Sequence, residues 1–130
     1  MIITSTGLPV VADRKESKLV LQFVTFVAER QLTVNRNRIV VGIGQGPFLT
    51  DAYVNELNLL IEAKGSINRE PFRMAIGQLL DYRRFMFPRP QCAILLPARP
   101  NDDLLALAKT EGFYVIWKTA SGFGSTATFW

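Results

Sequence analysis

The sequence contains no histidine and only one cysteine, Cys92. The lack of histidine excludes zinc sites that use imidazole ligands, and it also excludes Ser-His-Asp catalysis. A single cysteine excludes an internal disulfide framework and any metal site with several cysteine ligands. Metal chemistry with oxygen ligands is the class of metal site that remains open to this chain.

Long apolar runs are missing as well. No stretch reaches the length that a membrane-spanning helix needs, and the N-terminus lacks the basic start and long apolar core of a secretory leader. We therefore expect a cytoplasmic protein that has no membrane partner.

The composition is that of a folded, soluble domain. Of the 130 residues, 48% are hydrophobic and 20% are charged, and a chain of this length can form one domain with a substantial core. We predict a single domain over residues 1–130, whose target selection comes from loops or from partners, either a second copy of the chain or a recognition subunit. The net charge of +4 favours polyanions, although many proteins of this charge bind none.

An acid and a base stand close together near the middle of the chain. The apolar run Leu59–Ile61 is too short for a helix, and the glycine at Gly65 ends the segment, so we predict a buried strand. Because side chains alternate along a strand, Glu62 and Lys64 project from one face and Ala63 from the other. One small patch then carries both signs of charge.

A second carboxylate is expected to join this patch. A turn at residues 55–56 would fold the preceding segment, 48–54, antiparallel beside the strand and bring Asp51 close to Glu62 and Lys64. Paired carboxylates bind hard cations such as Mg²⁺, and a nearby lysine can orient a water molecule or neutralise charge on a phosphate. The pattern predicts a phosphodiesterase centre.

The order of these residues resembles the signature of the PD-(D/E)XK nuclease superfamily. Asp51 is followed on the next strand by Glu62-x-Lys64, while Thr50 stands where the superfamily's name has proline. The resemblance implies metal-dependent hydrolysis of DNA, with Asp51 and Glu62 as ligands of Mg²⁺ or Mn²⁺ and the Ala63 carbonyl as a further ligand. Lys64 would position or activate the attacking water. The alternative interpretation is a solvated strand end that carries a salt bridge.

A helix is predicted before this region, from Asp13 to about Arg30. Its apolar residues recur at three-and-four spacing: Leu19, Val20, Phe23, Phe26 and Val27. Glu16 lies on or beside that apolar stripe in the first turn. In the superfamily a helix before the sheet often supplies an extra acid, and the resemblance gives Glu16 this role as a metal ligand. The alternative is a first-turn acid that the helix dipole stabilises.

Residues 39–43 predict the first core strand. The glycines that follow, at Gly42, Gly44 and Gly46, lack the spacing of a dinucleotide-binding loop, and Pro47 stands where a phosphate-binding helix would begin. We interpret this segment as a hairpin.

A second motif lies on the helix predicted after the charged strand. This helix has Pro71 in its first turn and runs to about Met86, before Pro88. Gln78 and Tyr82 are four residues apart and share a face. Gln-x-x-x-Tyr after Glu-x-Lys resembles the additional motif of RecB-like nucleases, which implies a place for both residues in the catalytic site. The alternative is an ordinary pair on a helix surface.

Positive charge is concentrated in the same region. Five arginines face two acids between residues 69 and 89, a surplus of three within a total of four. Arginine pairs well with phosphate through its forked donors, so we predict a surface that grips the nucleic-acid backbone. Its residues are Arg69, Arg73, Arg83 and Arg84. The alternative for Arg83 and Arg84 is a solvated helix face.

The last third of the chain predicts two more strands, at residues 91–96 and 113–117. A helix capped by Asn101 and ended by Gly112 lies between them. The tail from Lys118 onward is open to interpretation as a loop, an edge strand or a partner contact.

The order helix, three strands, helix, strand, helix, strand predicts an α/β fold with a mixed central sheet flanked by helices. The resemblance narrows this fold to a restriction-endonuclease-like αβββαβ core. We expect a Mg²⁺-dependent deoxyribonuclease. The alternatives are a non-catalytic DNA-binding or assembly module on the same fold, and a nuclease that acts on RNA.

Overall fold

A computed structural model describes residues 2–5, 14–44 and 46–130 of the chain. The helices in this part are α1 (Arg14–Ala28), α2 (Arg69–Tyr82) and α3 (Asp102–Thr110). The strands are β1 (Ile2–Ser5), β2 (Val34–Asn35), β3 (Asn37–Val40), β4 (Phe48–Leu49), β5 (Ala52–Val54), β6 (Leu59–Ala63), β7 (Gln91–Leu96), β8 (Tyr114–Lys118) and β9 (Phe123–Ser125). Single 3₁₀ turns follow β5 and α2, at Asn55–Leu57 and Arg83–Phe85.

The main sheet has six strands in the order β2-β5-β6-β7-β8-β9. Its centre, β6-β7-β8, is parallel, and antiparallel pairs flank it on both sides. Residues of α1 pack on one face of the sheet, and residues of α2 and α3 pack on the other. The prediction of an α/β fold with a mixed sheet flanked by helices is therefore confirmed.

Successive side chains of β6 point to opposite faces of the sheet, and this alternation determines which side chains pack against α1 and which pack against α2. Leu59, Ile61 and Ala63 are buried with residues of α1, whereas Leu60 is buried with residues of α2. Because the period of a strand is two residues, Glu62 points to the same face as Leu60. Both faces are covered, which is why the strand reads as an apolar run in the sequence.

The prediction of a first core strand over residues 39–43 is wrong. The strand is β3, it covers Asn37–Val40, and it pairs with β1 and β4 in a separate three-stranded antiparallel sheet. Ile39 is buried while Arg38 is exposed, so this strand has only one covered face. The segment 48–54, predicted beside the charged strand, is divided as well: β5 pairs with β6 in the large sheet, whereas β4 belongs to the small sheet.

The three predicted helices are present. The start predicted for α1 at Asp13 lies outside the described residues. α2 gives way after Tyr82 to a 3₁₀ turn, and α3 is capped as predicted, with the Leu104 N–H donating to Asn101 Oδ1 over 2.9 Å. Gly112 follows α3 with a φ of +74°, a conformation that favours glycine. In the described ranges, no helix combines the length and apolarity needed to traverse a bilayer.

Candidate functional site

The β5-β6 hairpin brings two carboxylates together. Ala52 lies opposite Ile61 in this antiparallel pair, so one step further along the ladder puts Asp51 opposite Glu62. Directly opposed residues share a face of the sheet, with Cβ atoms about 5 Å apart. The hairpin is pinned at this point because the Ala63 N–H donates to Asp51 Oδ2 over 2.9 Å.

The three charged residues of the predicted centre are all buried. Glu62 is 1% exposed, Lys64 6% and Asp51 8%. Among the residues that the structure describes, none of the three forms a salt bridge. The alternative interpretation, a solvated strand end with a salt bridge, is therefore wrong on both counts.

The carboxyl group of Glu62 lies in an environment that opposes its charge. Burial, then the neighbouring Asp51 carboxylate and a hydrogen bond to it, raise the pKa of Glu62 well above its ordinary value of 4.5, while Lys64 acts in the opposite direction. One carboxyl oxygen, Oε1, has no hydrogen-bond partner within the described part of the chain. The group is thus poised to accept a proton or a cation.

Helix α2 adds two polar side chains to the same face of the sheet. Tyr82 is buried, and burial followed by the charge of Glu62 raises the pKa of its hydroxyl, while a hydrogen bond from the Gln78 side chain lowers it. The Oε1 atom of Gln78 is a second buried oxygen that lacks a partner among the described residues. Phe48 packs on the other side of Tyr82, with ring centroids 5.7 Å apart. Gln78 and Tyr82, the two residues of the second motif, therefore lie on the face of the sheet to which Glu62 also points.

Three residues to which the sequence analysis gave no role, Arg36, Asn37 and Thr50, fix the backbone directly before Asp51. Thr50 is fully buried, and its Oγ1 accepts from the Asn37 N–H over 2.9 Å while its own N–H donates to the Asn37 carbonyl over 2.9 Å. The Arg36 Nε donates to the Thr50 carbonyl over 2.9 Å. These bonds tie the chain to β3 at the point where it passes from one sheet to the other. The hydroxyl residue directly before the acid was the available sequence signal.

Glu16 lies in the first turn of α1, which packs on the face of the sheet opposite to Glu62. Across residues 14–44 and 46–130, no three Asp, Glu or Cys side chains form a group that could hold a metal ion. The structure therefore does not gather Glu16 with Asp51 and Glu62, although the resemblance assigns all three to one metal. The physical reason is that α1 and the Glu62 side chain lie on opposite faces of the sheet.

The predicted arginine surface is spread over both ends of α2. This helix connects the parallel strands β6 and β7, so it starts at the carboxyl edge of the sheet and ends at the opposite edge, about 21 Å away for 14 residues. Arg69 and Arg73 lie in the first half of the helix, whereas Arg83 and Arg84 follow its last residue, Tyr82. The four arginines therefore do not form one continuous patch on this helix.

Most of these arginines already have a partner. Arg69 pairs with Asp103, Arg73 with Glu70 at 3.5 Å and Arg84 with Asp81 at 2.5 Å. The Arg83 guanidinium lies over the ring of Phe113, 5.2 Å from its centroid. The positive charge of this surface is consequently offset by acids on the same or the adjacent helix.

The donor set of the site fits a hard divalent cation. It consists of the oxygens of two opposed carboxylates, and Mg²⁺ and Mn²⁺ prefer such ligands. A cation bound here would satisfy the Glu62 oxygen that has no hydrogen-bond partner among the described residues. The Ala63 backbone lies beside the pair because Asp51 holds its N–H.

Comparison with known proteins returned no match to a family model, to a curated protein or to a solved structure.

Proposed function

We propose that this chain is a metal-dependent nuclease that hydrolyses phosphodiester bonds in DNA, with Asp51, Glu62 and Lys64 at its catalytic centre. The observation that carries the proposal is the Glu62 carboxyl, which is buried beside a second carboxylate with one oxygen unpartnered among the described residues. A buried polar atom left in that condition costs about 1–3 kcal/mol. A bound cation would satisfy this oxygen and offset the repulsion between the carboxylates.

The finer fold, a restriction-endonuclease-like αβββαβ core, is part of the same proposal. The order of elements along the chain supports it, since α1 is followed by the β5-β6 hairpin, α2 and β7. The position of both carboxylates on that hairpin supports it as well. The resemblance of Asp51, Glu62-x-Lys64 and Gln78-x-x-x-Tyr82 to the superfamily's motifs supports it independently of the coordinates.

Each side chain of the site has a distinct role in the proposed reaction. A bound Mg²⁺ or Mn²⁺ would supply Lewis-acid stabilisation of charge on the phosphate oxygens. Asp51 and Glu62 would hold that cation, with the Ala63 carbonyl as a further ligand. Lys64 projects from the same face of the strand end as Glu62, so its ammonium can hydrogen-bond the attacking water and stabilise the negative charge that develops on the phosphate.

The bond changes are those of ordinary ester hydrolysis. The water oxygen forms a new bond to phosphorus, the bond from phosphorus to one sugar oxygen breaks, and a proton from the water ends on that leaving oxygen. Gln78 and Tyr82 act as positioning residues, because they restrict the carboxyl of Glu62 from the helix side.

The test is a cleavage assay with linear duplex, circular duplex and single-stranded DNA and with RNA, each in Mg²⁺, in Mn²⁺ and in chelator. We expect hydrolysis of at least one DNA substrate in Mg²⁺, none in chelator, and a loss of at least 100-fold in Glu62→Gln and Lys64→Met. These variants remove one charge at nearly constant shape, so a folding defect is avoided. Comparison of linear with circular DNA separates cleavage from ends and cleavage within the strand.

Glu111→Gln is the matched control, since it makes the same chemical change at an exposed position directly after the last residue of α3. Cleavage that persists in chelator, or full activity in Glu62→Gln, would rule out the proposed centre. Binding without any cleavage would favour the non-catalytic module, and hydrolysis of RNA alone would make the chain a ribonuclease.

A further inference from the structure

A cleft of about 300 Å³ opens where the three parallel strands end. Its walls come from the first half of α1, from Gly65 after β6, from Pro97 after β7 and from Lys118 at the end of β8. In open α/β sheets, ligands bind in the crevice outside the carboxyl ends of the strands. The cleft has that position, and α1 contributes Lys15 and Lys18 to it.

The cleft carries a concentrated positive charge. Three of its lining residues are the lysines Lys15, Lys18 and Lys118, all exposed, and none of its lining residues that the structure describes is an acid. In the described ranges, none of these lysines forms an ion pair. Glu16 is next to Lys15 in the chain, but it is not part of the lining. Three lysines that have no ion-pair partner among the described residues therefore line one small space.

This charge differs in kind from the arginine surface of α2. Arg69, Arg73 and Arg84 each have a carboxylate partner, so an anion that binds there must compete with an acid already in place. An anion that binds in the lysine cleft does not have to displace a carboxylate from these lysines, because none of them has an ion-pair partner among the described residues. Lysine also acts as a point charge with rotatable donors, which suits phosphate recognition that does not depend on base identity.

The cleft adjoins the proposed catalytic centre. Gly65 lines the cleft and directly follows Lys64 in the chain, and one residue of extended chain advances about 3.3 Å. Glu62 and Lys64 face α2, whereas α1 and the cleft lie on the other face of the same strand end. A nucleic-acid strand that crosses this edge of the sheet would pass from one to the other.

We propose that the lysine cleft, formed by Lys15, Lys18 and Lys118, binds one backbone phosphate of the nucleic acid. This phosphate neighbours, along the same strand, the phosphate that is hydrolysed beside Lys64. The proposal rests on the proposed function in naming the substrate, but it concerns binding and not chemistry. Its consequence is that the sequence-independent affinity of the chain comes from the lysine cleft and not from the arginines of α2.

The test is a salt titration of binding to two unrelated DNA duplexes and one single strand, in Ca²⁺ to suppress cleavage. Each phosphate that a protein neutralises on duplex DNA contributes about 0.9 to the slope of log affinity against log salt. We expect Lys15→Ala, Lys18→Ala and Lys118→Ala each to flatten part of that slope, and the triple variant to flatten it by about 0.9, the contribution of the one phosphate bound in the cleft, with equal weakening on both duplexes. Arg73→Ala and Arg84→Ala should leave the slope unchanged.

Lys109→Ala is the matched control, because this exposed lysine sits near the end of α3, at the opposite edge of the sheet. A wild-type slope in the triple variant, or a slope that changes with the arginines instead, overturns the proposal, as does the absence of binding to all three probes. The two proposals fail separately. Lysine-dependent binding without cleavage supports the cleft and refutes the nuclease, whereas cleavage with lysine-independent binding does the reverse.

Discussion

The carboxyl group of Glu62 has an environment that disfavours its charge from several sides. It is almost completely buried, it faces the Asp51 carboxylate, and it has one oxygen without a partner among the described residues. Lys64 and a hydrogen bond with the Asp51 backbone act in favour of the charged form, but the net effect is a raised pKa. A proton and the proposed metal cation would therefore compete for the same oxygen, and this competition can be measured as a dependence of stability on pH.

The free energy of unfolding of the metal-free protein should fall as pH rises above about 4.5, the ordinary pKa of this carboxyl. The folded pKa is raised, so between the two values the folded state holds a proton that the unfolded state has lost. The contribution of this proton to the free energy of unfolding is fully present below the pKa of the unfolded state and is lost as pH rises through the pKa of the folded state. The loss is at most about 1.4 kcal/mol per pH unit. Urea titrations in chelator from pH 4 to pH 9 measure it.

Glu62→Gln should remove this fall, because the amide does not titrate, whereas Glu111→Gln should leave it in place. Addition of Mg²⁺ should restore stability at the high-pH end in the native protein and in Glu111→Gln, but not in Glu62→Gln. An identical pH profile in native protein and Glu62→Gln would mean that Glu62 ionises as readily when folded as when unfolded.

At the scale of elements, the two faces of the sheet have different tasks. α2 covers the face that carries Glu62 and holds Gln78 and Tyr82 against it, while α1 covers the other face with an apolar stripe. α1 meets the strand ends only at its first half, where its lysines line the cleft. The helices therefore separate the proposed chemistry from the proposed phosphate contact.

Gln78→Ala should reduce cleavage about tenfold while the affinity for Mn²⁺, measured by calorimetry, stays within about twofold. The Gln78 amide restrains Tyr82 beside Glu62 but is not one of the two opposed carboxylates, so its loss should disturb positioning and leave cation binding in place. Met74→Ala on the exposed face of the same helix is the control. Loss of metal affinity equal to the loss of cleavage would instead make Gln78 a ligand.

At the scale of the whole molecule, the C-terminal tail closes one side of the core. β9 is the edge strand of the large sheet, and the residues after it return to α1. The Trp130 ring lies 5.8 Å from Phe23, 5.6 Å from Phe26 and 5.5 Å from Phe129, and its Nε1 donates to the Phe123 carbonyl over 3.2 Å. Residues 123–125 of the tail form an edge strand, the residues around them are loops, and the partner contact stays a prediction.

Trp130→Ala should lower the free energy of unfolding by about 2 kcal/mol, less than for a completely buried aromatic because this ring is only partly buried. Urea denaturation at fixed pH measures the change. Ile43→Ala, at a fully exposed position in the loop after β3, should change stability by less than about 0.5 kcal/mol. Equal stability of the Trp130 variant and native protein would show that the tail does not contribute to the core.

How much of the site the sequence could predict differs from residue to residue. The alternation of Glu62 and Lys64 is local, so the shared face followed from the strand alone. The approach of Asp51 needed only a short antiparallel hairpin. The roles of Thr50 and Asn37 were not predictable, since their bonds extend the β3-β4 pairing by one residue, and no local period reports which strand pairs with which.

The sequence by itself determined the helices, the apolar strands β6 and β7, and the residue types that limit any metal site to oxygen ligands. These follow from local periodicity and composition, which act over a few residues. The tertiary structure alone decided that the charged strand end is buried, that α1 and Glu62 lie on opposite faces, and that the arginines are paired while three lysines share a cleft. Burial and charge pairing depend on which distant segments meet, and only the packed chain brings those segments together.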